Sequence, residues 1–154
     1  MPPAPDPDPR PADLHLTFPA SPAVVRDALA RMMATAPLLG LSDTRRGTAE
    51  LVLAEVLNNI AEHAYADHAG LITVTLRAGS QGIACLVVDL GAPMPGGVLP
   101  DRGLPARAGL ALADLPEGGF GWHLIRSLTR DLAYRRIAGA NRLSFLLPCE
   151  GEIP

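Results

Sequence analysis

Glu55-Val56-Leu57-Asn58-Asn59-Ile60-Ala61-Glu62-His63-Ala64-Tyr65 is the stretch from which the rest of the chain can be placed. Ala49, Val52, Leu53, Val56, Ile60 and His63 recur at helical spacing and share one broad apolar face, with Ser42 or Asp43 available as the cap. The spacing predicts a helix to about Ala66, with His63 in a structural role on its buried face. Glu55 and Asn59 stand four apart, so both project from one side about a turn from each other. A polar pair beside an apolar stripe is costly to desolvate unless something satisfies it, and a bound cation or its hydrating water would do so. Spacing alone equally allows a helix-surface pair with no task.

Outward from this helix the pattern changes. Towards the N-terminus, residues 13–18 alternate polar and apolar as a strand. Ser21 and Pro22 then open a helix that carries Val24, Val25, Ala28, Leu29 and Met32 inward and stops before Pro37. Towards the C-terminus, residues 72–76 and 83–89 read as strands joined by a short glycine-containing turn, hence an antiparallel hairpin. Residues 91–119 are rich in proline and glycine and read as a mobile excursion over a site, with one short helical turn within 106–115. A third helix begins near Gly121, carries Leu124, Ile125 and Leu128 inward, and ends near Asp131. Strands over 132–137 and 142–147 follow, flanking a Gly139-Ala140-Asn141 turn. Strands that cluster in hairpins imply an α+β fold: a two-layer sandwich with a mixed, mostly antiparallel sheet covered by helices on one face.

With 154 residues, 48% of them hydrophobic, the chain is sized for one domain, expected over residues 13–149 behind a disordered proline-rich tail at 1–12. The formal net charge of −3 offers no broad positive field for nucleic acid or an anionic membrane. All 13 basic residues are arginine, which excludes a P-loop, since that motif grips phosphate with a lysine. Cys85 and Cys149 form no CxxC pair, and two thiols are too few for a disulfide scaffold. The start lacks a signal peptide's basic and apolar runs, so a soluble cytoplasmic protein is expected.

Two further features suggest a ligand. Asp89 ends the apolar run Ile83-Ala84-Cys85-Leu86-Val87-Val88, and Gly91 follows. A carboxylate there can accept from an amino group while the glycine lets a ring approach, although an aspartate at a strand end also simply starts turns. Gly118-Gly119-Phe120-Gly121 opens onto a helix, and such glycines leave backbone N–H groups free to meet phosphate. Glycine-rich turns before helices also occur without ligands.

Taken in order, Glu55 to Tyr65, then Asp89-Leu90-Gly91, then Gly118-Gly119-Phe120-Gly121-Trp122-His123-Leu124-Ile125 resembles the successive motifs of the GHKL (histidine-kinase-like) ATPases. The first motif is most similar to that of the anti-sigma factor serine/threonine kinases. The resemblance implies ATP and Mg2+ as cofactors, with Asn59 coordinating the metal and Glu55 acting as the catalytic base. It also implies that Asp89 recognises the adenine amino group, that Gly91 lets the purine pack, and that Gly119 and Gly121 admit the phosphates. The implied partners are an anti-anti-sigma protein that is phosphorylated and a sigma factor or related regulator that is sequestered, with a possible homodimer. The chain departs from that pattern at Glu117-Gly118-Gly119-Phe120, where related kinases often carry an arginine; Arg102, Arg107 or a partner would have to supply the cation. A binding module of the same fold without phosphotransfer is the alternative.

Overall fold

The computed structural model describes residues 13–100 and 119–149. The expected tail at 1–12, the helical turn within 106–115 and Gly118 lie outside the described residues. The elements run β1 (Leu14–Pro19), α1 (Pro22–Met33), α2 (Ala36–Leu39), α3 (Asp43–Asn59), a π turn (Ile60–Ala64), β2 (Leu71–Gly79) and β3 (Gly82–Asp89). They continue with a short 3-10 turn (Pro95–Gly97), α4 (Gly119–Leu128), β4 (Arg130–Ile137) and β5 (Ala140–Pro148). The sheet order is β1-β2-β3-β5-β4, and all four pairings are antiparallel.

Helices α1 and α3 begin where their capping chemistry dictates. The hydroxyl of Ser21 accepts from Val24 N at 3.4 Å, with Pro22 at the first helical position, and the hydroxyl of Ser42 accepts from Arg45 N at 3.2 Å. Ile72, Val74 and Leu76 of β2, Ile83, Cys85 and Val87 of β3, and Leu143, Phe145 and Leu147 of β5 alternate at the two-residue period of a strand. Together they form one apolar face. Val25, Ala28 and Met32 of α1, Val52, Leu53 and Val56 of α3, and Ile125 of α4 pack on that face and complete the core.

Three local expectations change. The second helix does not stay α-helical to Ala66: its last turn widens to π, with Tyr65 N donating to Ile60 O at 3.1 Å, five residues back. The extra residue shifts the helical phase, so Tyr65 takes the buried position, while His63, read as continuing the buried face, is 66% exposed. Beyond β3, residues 91–100 are not a free excursion, because backbone and side-chain bonds described below hold them. The last hairpin turns at Ala138-Gly139 rather than at Gly139-Ala140-Asn141, which leaves Asn141 inside β5 opposite Asp89.

Both turn residues of that hairpin have positive φ, 51° at Ala138 and 80° at Gly139, as a two-residue turn matched to the twist of its strands requires. Alanine is a poor occupant, since its Cβ crowds the following carbonyl in the left-handed region. Ala138→Asn is therefore expected to raise stability by about 1 kcal/mol, read as a higher urea midpoint at unchanged slope.

Candidate nucleotide-binding site

A cavity of about 780 Å3 opens between the end of α3, the π turn, the chain leaving β3 and the first turns of α4. Ile60, Met94, Leu99, Trp122 and Leu143 give it apolar walls, and Asn59, Asp89, Tyr134 and Asn141 contribute the polar groups. A flat heteroaromatic ring with a polar edge suits such a lining, and the volume lies within the roughly 300–1,000 Å3 usual for small-molecule sites.

Asp89 is the buried charge of this cavity, at 4% exposure. Burial pushes its carboxyl above the usual aspartate range; the Asn141 amide, the Gly91 N–H and the Arg136 guanidinium oppose that rise. Gly91 N donates to Asp89 Oδ1 at 2.9 Å, and Asn141 Nδ2 donates to the same oxygen at 2.8 Å. Among the described residues, Oδ2 is thus the oxygen with accepting capacity left.

Asn59 and Glu55 lie on α3 as the spacing required, both half-buried, while Asn58 points to solvent. Asn59 Nδ2 is buried without a hydrogen-bond partner. A group that would otherwise be costly to bury in this way is satisfied once a ligand oxygen arrives. Gly119 opens α4 and Gly121 lies in its first turn, so these glycines sit within the helix rather than ahead of it. A Cβ on Gly121 would stand 2.6 Å from Glu55 Oε2 and 3.7 Å from Asn59 Nδ2. This glycine therefore lets α4 close on the polar pair of α3. Gly91 has a different neighbour: a Cβ there would strike the backbone carbonyl of Ala64.

Residues 18–146 match the model of the histidine kinase-like ATPase domain. The chain belongs to the histidine kinase-like ATPase family. This ATPase domain is also 24% identical over 119 residues to the serine-protein kinase RsbW of Bacillus mycoides (strain KBAB4), covering 77% of this chain and 74% of the relative.

Within the ATPase domain, the residues that brace the cavity were not legible beforehand. Tyr134 O–H donates to Asn141 Oδ1 at 2.6 Å, and Arg136 Nη1 donates to Asn141 Oδ1 at 2.8 Å and to Gly91 O at 2.9 Å. Asn141 Nδ2 also reaches Ala92 O at 2.9 Å, and Tyr134 Oη accepts from Met94 N at 3.0 Å. Ala92 N donates to Ala64 O at 2.8 Å, and Arg126 Nε donates to Pro100 O at 3.2 Å. At the other end of the π turn, Tyr65 O–H donates to Leu71 O and accepts from Leu90 N, both at 2.7 Å. Burial and the Asp89 charge hold this phenol above its ordinary pKa despite those bonds. His63 lines the cavity from the π turn, 4.0 Å from Glu62.

Proposed function

We propose that this ATPase domain is an ATP-dependent serine/threonine protein kinase of the anti-sigma type, which phosphorylates an anti-anti-sigma partner and sequesters a transcription regulator. The observation that carries the reading is the pairing of a buried carboxylate, Asp89, with an orphaned amide, Asn59, across one largely apolar cavity. The family match and the likeness to a serine-protein kinase support it. Among the described residues no helix is long and apolar enough to cross a membrane.

In this reading Asp89 Oδ2 accepts from the adenine amino group, and the apolar walls exclude water from the ring faces. Asn59 fits a Mg2+ site, because an amide oxygen is a hard ligand and its nitrogen is left to donate to phosphate oxygen. The metal, when bound, would neutralise phosphate charge. The N–H groups at the start of α4 face the phosphates, and Glu55, beside Gly121, takes the proton of the attacking hydroxyl. A second reading, a binding module without phosphotransfer, follows from the absence of any lysine or arginine between Arg107 and Arg126, since developing charge on the transferred group needs cations.

Transfer of labelled γ-phosphate to a purified anti-anti-sigma partner tests the kinase reading, and ATP binding without label would favour the module. Asn59→Ala is expected to weaken Mg-ATP binding on the order of tenfold, the worth of a hydrogen bond to a charged group. Unchanged affinity in calorimetry would remove Asn59 from the site.

A further inference from the structure

The sheet has a second face, turned away from the helices and from the cavity. Side chains alternate across a strand, so the residues between the core positions share that face, among them Ala84, Leu86 and Val88 of β3 and Leu146 of β5. Ala84 is exposed, and the other three are half-buried outside the core that the helices complete. From Ala84 to Val88 this apolar strip runs about 14 Å, the length of about nine residues of α-helix.

Arginines bound the strip at both ends. At one end Ala84 pairs with Arg77 of β2 and with Leu146, which pairs in turn with Arg130 of β4; at the other Val88 pairs with Arg142, which pairs with Arg135. Four of the five strand arginines therefore lie on this face, the exception being Arg136, which reaches into the cavity. The strands contain two acidic residues. Asp89 faces the cavity, and Asp131 sits in the bulge of β4 beside Arg130, at the far end of the face from Arg135 and Arg142. Arg135 and Arg142 stand directly opposite each other, and like charges so placed destabilise a sheet. An arriving carboxylate removes that repulsion and gains charge-assisted hydrogen bonds from both guanidinium groups.

Charge and shape select among occupants. A second copy docked through the same face would set four more arginines against these four. Nucleic acid would meet its phosphate partners but no stacking platform, because the aromatic residues of the strands, Phe18, Tyr134 and Phe145, all belong to the core side. An extended peptide adds to a sheet edge rather than to a face. A helix laid on the face can bury an apolar stripe against the strip and reach the arginines with acidic side chains on its flanks.

We propose that the open face of the sheet docks an acidic amphipathic helix of a partner protein, whose apolar stripe covers Leu86, Val88 and Leu146 and whose carboxylates pair with Arg135 and Arg142. The proposal stands apart from the nucleotide reading, because this face and the cavity lie on opposite sides of β3 and β5.

The probe is a fluorescein-labelled synthetic helix about 15 residues long, with leucines at i, i+3, i+4 and i+7 flanked by glutamates. It is titrated into the full chain and followed by anisotropy, beside a control helix with lysine in place of every glutamate. Wild type is expected to bind the acidic helix at least about tenfold more tightly than the lysine helix. Arg135→Glu turns the like-charged cross-strand pair into an opposite-charged one. It should raise the urea midpoint and, in the same protein, weaken the acidic helix at least about tenfold. Arg142→Gln is the milder second variant, expected to move both readouts in the same directions. A lower midpoint in both variants would make the arginine pair a structural feature and overturn the proposal, as would unchanged binding in both. Wild type that binds the two helices equally, or neither, overturns it too. Self-association in sedimentation that Arg135→Glu changes would make the occupant a second copy. Tighter binding to labelled single-stranded DNA, or to phosphatidylserine vesicles, than to the acidic helix would make it nucleic acid or a membrane, and each of these results contradicts the assignment.

Discussion

Gly91→Ala is expected to lower folding stability by about 3 kcal/mol, the upper range for forcing an extra carbon into a packed site. The new Cβ would meet the carbonyl oxygen and carbon of Ala64 and lie 2.8 Å from the Ala64 Cβ. Neither backbone can rotate away as a flexible side chain would. The Ala92 N to Ala64 O bond, at 2.8 Å, ties the two segments at that point, so relief means parting the chain after β3 from the π turn. Urea denaturation should show a lower midpoint at unchanged slope, together with weakened nucleotide binding as the wall at Ala92 shifts. Gly47→Ala is the matched control: nothing lies within 4 Å of its Cβ, it sits inside α3, and it should gain about 0.5–1 kcal/mol. Equal effects at the two positions would show that Gly91 is not a point of close backbone approach.

Glu55→Gln should slow phosphotransfer by roughly 10²–10⁴, the usual worth of a positioned general base, while leaving nucleotide affinity nearly unchanged. The exchange keeps the side chain's shape, so the close fit against Gly121 persists and only the capacity to take a proton is lost. Rates come from labelled phosphate transfer and affinities from calorimetry on the same preparations. Full transfer in the variant would remove Glu55 from the role of base. Loss of binding would instead make it a group that holds nucleotide.

How far the residues alone reach can be judged at particular positions. The core strands were legible because Ile72, Val74 and Leu76 and then Ile83, Cys85 and Val87 keep a strict two-residue alternation over a one-sided sheet. Helix α3 was legible to Asn59 for the corresponding reason at helical period. Beyond Asn59 the reading failed, since nothing in Ile60 to Ala64 announces a π turn, and the shifted phase that exposes His63 is set by the tertiary bonds of Ala64 and Tyr65. Glu55, Asn59, Asp89 and the glycines could be named because each breaks a local pattern. Asn141 could not, because Gly139-Ala140-Asn141 carries turn chemistry and only the register Asp89↔Asn141 reveals it as a cavity residue. Tyr134 and Arg136 alternate on β4 like any strand residues, and their convergence on one amide is a property of the sheet order β3-β5-β4.

The most direct measurement is a calorimetric titration of Mg-ATP into the wild-type chain and into Asp89→Asn, with thermal melts to establish that both are folded. Because Asn141 Nδ2 and Gly91 N both need an acceptor at position 89, the variant amide must turn its oxygen towards them and its NH2 towards the cavity. That sets a donor against the adenine amino group. Saturable binding to the wild type and at least about tenfold weaker binding to the variant are expected, the cost of one lost charge-assisted hydrogen bond. Equal affinity in the two proteins, or no binding to the folded wild type, would contradict a nucleotide site built around Asp89.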